Sequence, residues 1–382
     1  MIYWDHNSTT PCAPEVVEAM QRYWRDEYGN PSSSHIMGRR ASLVIKKARE
    51  QVAGLMQAES PEIVFTSGAT ESNNLLFLGV LLTPRSERNR IAVSAIEHKS
   101  VLEPARMLEE RGFEVVKIPV SRGGVTDLAA ARVLINDATL LVSVQAANNE
   151  IGTLQPIAEL ADIAHESGAF FHTDAAQFLG KVPFDVQTVH CDFASFSAHK
   201  MYGPKGIGAL FVRGGARRWP WAYPFRGGGQ ESGLRPGTSN VPAIVGFGEA
   251  CSISHEAFRN DNVAAVMDIE SELIERLFAT FPECNIHALG SPRLPGVLSV
   301  AFPDAPADLL IDNLQVIAVG KGSACSNMTL AYSHVLEQIG CSSELAKKTI
   351  RISLGRHSNQ REIFEAITLL SRALSEVNKT LR

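Results

Sequence analysis

The sequence predicts an α/β protein with a mostly parallel central sheet in a large domain and a small α+β domain beside it. Three observations carry that expectation. Short continuous apolar runs alternate with amphipathic segments from about residue 62 to residue 212, as strands covered on both faces do. The turns after those runs hold small and polar residues such as Ser67-Gly68-Ala69-Thr70 and Ser197-Ala198-His199-Lys200, where sheets of this kind bind ligands. Finally, 382 residues exceed what one ordinary core needs.

In chain order, Pro14 opens a helix over 13–24 in which Val16, Val17, Met20 and Trp24 fall at helical spacing. Gly29-Asn30-Pro31 and the serines after it mark a loop. A long helix over 38–56 follows, with Leu43, Ala48, Val52 and Leu55 on its apolar side. Alternation then gives strand 62–65, helix 69–81, strand 91–94, helix 101–111 and strand 114–118. Strand 140–144, helix 157–166, strand 169–173 and strand 193–197 continue it, and a second apolar run leads away from Lys200. A glycine-rich stretch over 227–238 ends this half, and helices over 249–258 and 263–281 follow. The expected boundaries are 13–257 for the large domain, and 1–12 with 258–382 for the small one.

An apolar fraction of 45%, a charged fraction of 20% and a net charge of −5 are those of a soluble globular protein, with no general attraction to nucleic acid or an anionic membrane. Arg217 and Arg218, beside Trp219, Trp221 and Tyr223, read as a surface loop or interface. The start, MIYWDHNSTTP, lacks a basic and an apolar leader region, and no run approaches the ~20 apolar residues of a membrane span. A cytoplasmic location is expected. The six cysteines form no C-x-x-C pair, so neither a disulfide framework nor a zinc site is indicated.

Lys200 follows an apolar strand and precedes Gly203, Gly206 and Gly208. A lysine set there loses its charge when desolvated and becomes a nucleophile for carbonyl groups, although a solvated loop lysine fits the same pattern. Ser67 to Thr70 suit a phosphate at a helix N-terminus or an ordinary cap. Asp174 ends an apolar strand, where a carboxylate needs a cationic or hydrogen-bonding partner; a pyridinium N–H would serve, as would a metal shared with His172. His98 offers a flat ring with a near-neutral pKa, or is a plain loop histidine. Cys325 lies among small residues in Gly320-Lys321-Gly322-Ser323-Ala324-Cys325-Ser326 and is the accessible thiol, whereas Cys12, Cys251, Cys284 and Cys341 read as packing residues. Arg351, between Ile350 and Ile352, can point inward as a carboxylate clamp. A phosphate cradle, a lysine, a carboxylate, a stacking ring and a clamp fit pyridoxal 5′-phosphate and an amino acid.

With those residues in view, the chain resembles the cysteine desulfurases of the class V aminotransferase family, of the nitrogen-fixation and iron–sulfur-cluster type. The resemblance spans the whole length: Asp5, Thr9-Thr10-Pro11, SGATESNN at 67–74, EHK at 97–99, NNEIG at 148–152, DAAQ at 174–177, SFSAHK at 195–200, GPKGIGAL at 203–210, GTSNV at 237–241, GSACS at 322–326 and RISLGR at 351–356. It implies a homodimer of fold type I that depends on pyridoxal phosphate. Lys200 is then expected to carry the cofactor, Asp174 to pair with the ring nitrogen, Gln177 to bond the ring hydroxyl and His98 to stack on the ring. Ala69, Thr70, Ser197 and His199 are expected to hold the phosphate with Thr238 of the other subunit, and Asn149 and Arg351 the substrate carboxylate, Asn149 also lying near the cofactor.

The implied reaction is sulfur transfer from L-cysteine. Lys200 removes the Cα proton, Cys325 takes the sulfur as a thiolate, L-alanine leaves, and His98 moves protons for the thiols. The persulfide on Cys325 passes to an acceptor protein, an iron–sulfur scaffold or a thiolation enzyme. No metal, membrane or direct nucleic-acid partner is implied. Another class V enzyme, whether a selenocysteine lyase, cysteine lyase or aminotransferase, is the alternative. Lys321 stands where a small residue is usual, Leu330-Ala331-Tyr332-Ser333 lacks the usual proline, and the longer tail that some members use to dock a scaffold is not expected.

Overall fold

The computed structural model describes residues 1–84, 87–260, 262–321 and 332–381. The chain opens with β1 (Ile2–Trp4) and then runs as two helices, Pro14–Arg25 and Ile36–Leu55, before its central sheet begins. Apolar sequence makes seven strands, all but the edge strand β4 buried along most of their length: β2 (Ile63–Thr66), β3 (Arg90–Ser94), β4 (Glu114–Ile118), β5 (Thr139–Ser143), β6 (Phe170–Asp174), β7 (Phe193–Ser197) and β8 (Gly208–Val212). Their order is β2-β8-β7-β6-β5-β3-β4. Only β8 is reversed, antiparallel to both β2 and β7, so the carboxyl ends of the other six reach one edge and β8 begins there.

Side chains alternate across this sheet, and both faces are covered. Along β7, Phe193 joins the layer of helices Ala69–Leu82 and Lys99–Glu110, while Ala194 and Phe196 join that of Ile36–Leu55, Ile157–Glu166 and Val241–Arg259. A second sheet is made of β1 with β9 (Asn285–His287), β10 (Val297–Ala301), β11 (Ile317–Lys321) and β12 (Thr349–Ser353), in the order β1-β11-β12-β10-β9. It packs Trp4, Leu298, Val300, Ile350 and Ile352 against Leu273 and Leu277 of helix Asn262–Thr280 and Ile363 and Leu370 of helix Gln360–Thr380. β1 enters this sheet by parallel pairing with β11, Ile2 opposite Ile317, more than 300 residues away in sequence.

Several expectations need correction. Helix Val241–Arg259 begins at 241 rather than near 249, because Asn240 accepts from Ala243 N as its cap and proline fits its first turn. Asp127 likewise caps a helix, Leu128–Leu134, that spacing did not disclose. Val17, Trp24 and Leu43 are 42%, 62% and 66% exposed, so the buried stripes run through Val16 and Tyr23, and through Ala41, Ile45, Ala48 and Val52. Trp219 and Trp221 are buried against Phe193 instead of lying in a surface loop, whereas Arg217 and Arg218 are exposed. Among the described residues, no helix is long and apolar enough to cross a membrane.

Candidate functional site

A cavity of about 600 Å³ opens where the parallel strands end and β8 begins; Thr70, His98, Asn149, Asp174, Lys200 and Arg351 all line it. Its first wall is the turn between β2 and helix Ala69–Leu82. Gly68 adopts φ +152°, and the helix it starts has no side-chain cap, which leaves first-turn N–H groups beside the cavity for an anion. Gly208 makes room for that turn: a Cβ there would lie 2.2 Å from Phe196 O and 2.6 Å from Gly68 Cα. Glu71 braces it, accepting from Ser67 N at 2.6 Å and Arg235 Nε at 2.7 Å. Burial opposes the Glu71 charge, but those hydrogen bonds outweigh it and lower the carboxyl pKa. Ser197 and His199 line the cavity from the far side of β8, and burial, with Lys200 and other cations nearby, lowers the pKa of His199 to about 4.

The second wall is Asp174, at the end of β6 and 7% exposed. Its Oδ1 accepts from Ala176 N at 3.0 Å and its Oδ2 from Asn73 Nδ2 at 2.8 Å. Asn73 also donates to Ser100 Oγ at 2.8 Å, which lies 2.8 Å from His98 Nδ1. Ser100 N donates to the same ring nitrogen at 3.1 Å, so the neutral imidazole carries its proton on Nε2. Burial lowers the pKa of His98; Asp174 opposes this and Lys200 and Lys99 reinforce it. His172 is a core residue rather than a metal ligand. Ser143 and Ser195 take its two ring nitrogens, and burial lowers its pKa to about 4. No three histidine, cysteine, aspartate or glutamate side chains converge to hold a metal among the described residues.

The third wall joins the two ends of the chain. A tight turn after β7 presents Lys200, whose Nζ donates to Asn7 O at 2.5 Å and Ser8 O at 2.8 Å. Arg351 on β12 is 3% exposed. Its guanidinium donates to Asp5 Oδ1 at 2.7 Å, Ser8 Oγ at 2.6 Å and Asn149 O at 3.0 Å, while Nε has no partner among the described residues. The inward clamp therefore starts from a paired state. Gln177, 6% exposed, donates from Nε2 to Asn7 O at 2.9 Å and accepts from Lys181 at Oε1.

On the fourth wall, Glu150 accepts from the Ser333 hydroxyl, and His334 bonds Glu97 O at 3.1 Å. Burial raises the pKa of Glu150 to about 7, against the pull of Ser333, Arg351 and Lys99. Glu97 is fully buried with Oε2 unpartnered among the described residues, and burial raises its pKa well above the carboxylate range. Cys325 lies outside the described residues. The other five cysteines are free and at least half-buried, and burial raises the pKa of each thiol, that of Cys191 to about 12. Thr238 is exposed and does not line the cavity of this single chain.

Sequence reasoning overlooked Asn7, Ser8, Asn73, Ser100, Glu150, Lys181 and His334. Asn73 and Ser100 had a usable signal, one helical turn beyond Ala69 and two residues beyond His98 respectively. Asn7 and Ser8 had none, since their partners are distant in the chain.

The family model "Aminotransferase class-V" matches residues 2–365. Cysteine desulfurase IscS of Rickettsia typhi is 41% identical over 379 residues, 99% of this chain and 92% of that protein. The protein of that name from Anaeromyxobacter dehalogenans is also 41% identical, over 99% of this chain and 93% of its own length. Among solved structures, a NifS-like protein aligns with a TM-score of 0.89 at 37% identity, covering 98% of this chain and 99% of that one. SspA in complex with cysteine aligns with a TM-score of 0.83 at 36% identity, covering 94% and 100%.

Proposed function

Because this chain belongs to the class V aminotransferase family and is a cysteine desulfurase, we propose that its cavity holds pyridoxal 5′-phosphate and that Cys325 carries away the sulfur of L-cysteine as a persulfide. One observation carries the site assignment. The Lys200 amine, the Asp174 carboxylate and the uncapped start of helix Ala69–Leu82 all line one cavity. These are the three groups that an aldehyde, a ring nitrogen and a phosphate on one molecule require.

The residues present fit the cofactor. Asp174 would hold the ring nitrogen, Gln177 the ring hydroxyl and Lys200 the aldehyde carbon, with His98 on the ring face. Ala69, Thr70, Ser197 and His199 would hold the phosphate, joined by Thr238 of the partner subunit. The exposure of Thr238 outside this chain's own cavity supports a homodimer. The cofactor, when bound, draws electrons from the substrate's Cα and so acidifies its hydrogen.

Everything else falls to the chain. Asn149 and Arg351 orient the substrate carboxylate; for Arg351 this means sharing donors now given to Asp5 and Ser8. Lys200 accepts the Cα proton at Nζ, within reach of the two carbonyls that hold it. Cys325 attacks as a thiolate: a sulfur–sulfur bond forms, the substrate's carbon–sulfur bond breaks, and its electron pair stays with the carbon skeleton, which leaves as L-alanine after protonation. The raised pKa of every described thiol supports Cys325 as the nucleophile. His98, with its proton on Nε2, serves the thiols as donor and acceptor.

The same reading takes in a cytoplasmic location, a large domain of 13–257 with a small domain of 1–12 and 258–382, and delivery of the persulfide to an iron–sulfur scaffold or a thiolation enzyme. The test is turnover of L-cysteine with a thiol reductant, counting alanine and sulfide beside a Cys325→Ala variant. Equal yields, lost in the variant, are expected. No alanine, or a variant as active as the parent, would overturn the assignment.

A further inference from the structure

A second amine stands behind Lys200. Lys181 is half-buried, and its Nζ donates to Asn7 Oδ1 at 2.6 Å and Gln177 Oε1 at 2.7 Å. Both acceptors are committed at their other ends. Asn7 Nδ2 donates to Asn149 O at 3.2 Å and Gln177 Nε2 to Asn7 O at 2.9 Å, so each amide has only its oxygen to offer Lys181. Asn7 O is also an acceptor for Lys200 Nζ, and Asn149 O for Arg351.

Asn7, Asn149, Gln177, Lys200 and Arg351 all line the cavity; Lys181 does not. It touches the supports of the site without entering the space they enclose. Packing alone gives no reason for an amine there, because a methionine fills similar volume without desolvating a polar head.

We propose that Lys181 is a positioning residue, which fixes the Asn7 and Gln177 amides so that the Lys200 amine and the Gln177 side chain meet the cofactor in one orientation. This rests on Lys200 carrying the cofactor, as set out above. The charged or titratable groups around Lys181 are Lys200, Arg351, His6 and His199, and Asp5 is engaged by Arg351. Burial, with Lys200 and Arg351 adding, lowers the pKa of Lys181 well below that of a free lysine.

The test uses apoprotein titrated with pyridoxal phosphate, following growth of the visible band from pH 6 to pH 10. The Lys181→Met variant is expected to bind the cofactor about tenfold more weakly across that range. Lys181→Arg, which keeps the donors, is expected to return affinity to within about threefold. Combined with Gln177→Leu, Lys181→Met should cost less than the product of the two single losses, since both act on one contact. Wild-type affinity in Lys181→Met would overturn the proposal, as would multiplicative losses in the double variant. So would a loss that tracks collapse of the circular-dichroism spectrum and that Lys181→Arg does not restore. A wild-type chain that captures no pyridoxal phosphate would instead defeat the cofactor assignment itself.

Discussion

Asn73 places its amide nitrogen 2.8 Å from Asp174 Oδ2 and, with its second hydrogen, 2.8 Å from Ser100 Oγ. One buried side chain thus ties the carboxylate to the hydroxyl that orients the His98 ring. Asn73→Leu leaves Asp174 Oδ2 without this donor and frees Ser100. Stability is expected to fall by about 1–3 kcal/mol, and pyridoxal phosphate to bind about tenfold more weakly. Urea unfolding of the apoprotein and a spectrophotometric titration measure the two effects; no change in either would mean that Ala176 N alone suffices to hold the carboxylate.

Lys200→Ala should keep the fold, since the side chain is half-buried and its acceptors are main-chain carbonyls. It should lose both covalent capture of the cofactor, read by borohydride reduction and intact mass, and all alanine formation. A reduced adduct on another lysine would reassign the nucleophile.

Arg351→Lys retains a charge but not the planar fork that serves Asp5, Ser8 and Asn149 together. The KM for L-cysteine is expected to rise about tenfold, with a smaller fall in kcat, because the clamp holds substrate and transition state alike. An unchanged KM would remove Arg351 from substrate binding and leave it a strut between β12 and the N-terminal segment.

Gly208→Val drives a Cβ into Phe196 O and Gly68 Cα, both main-chain atoms of neighbouring elements. The expected loss is about 2 kcal/mol or more, with weakened phosphate affinity because the turn at Gly68 is displaced. Thermal unfolding with and without inorganic phosphate separates the two.

Glu150 gives a pH signature. Burial raises its folded pKa from 4.5 to about 7, so the folded state holds a proton that the unfolded chain has released. Stability is then fully present below the unfolded value and declines as pH rises towards 7, by about 3 kcal/mol in all. Glu150→Gln keeps an acceptor for Ser333 and should flatten that decline when unfolding is followed at pH 5 and pH 8. Parallel curves for the two proteins would place the proton elsewhere.

The parts of the site legible in the sequence are those written in one local pattern. Asp174 and Lys200 each end a continuous apolar run, and a strand end on a parallel sheet fixes which edge they reach. Arg351 alternates with Ile350 and Ile352, which announces an inward side chain but not its partner. Asn7 and Ser8 were illegible for a different reason. The contact of Asn7 with Lys200 spans 193 residues, and that of Ser8 with Arg351 spans 343, so no window of sequence contains either pair. Trp24 and Leu43 failed in a third way: helical spacing identifies apolar positions without saying which of them face the core.

The parallel pairing of β1 with β11 bears on how the protein is made. β1 is translated before the whole central sheet, yet its neighbour in the second sheet, starting at Ile317, only after it. The nascent chain must therefore carry residues 2–4 without their sheet partner through most of synthesis, while Asn7 and Ser8 already have Lys200 to bond. An early segment is thus among the last to settle, and the cavity is complete only once Arg351 on β12 has been made.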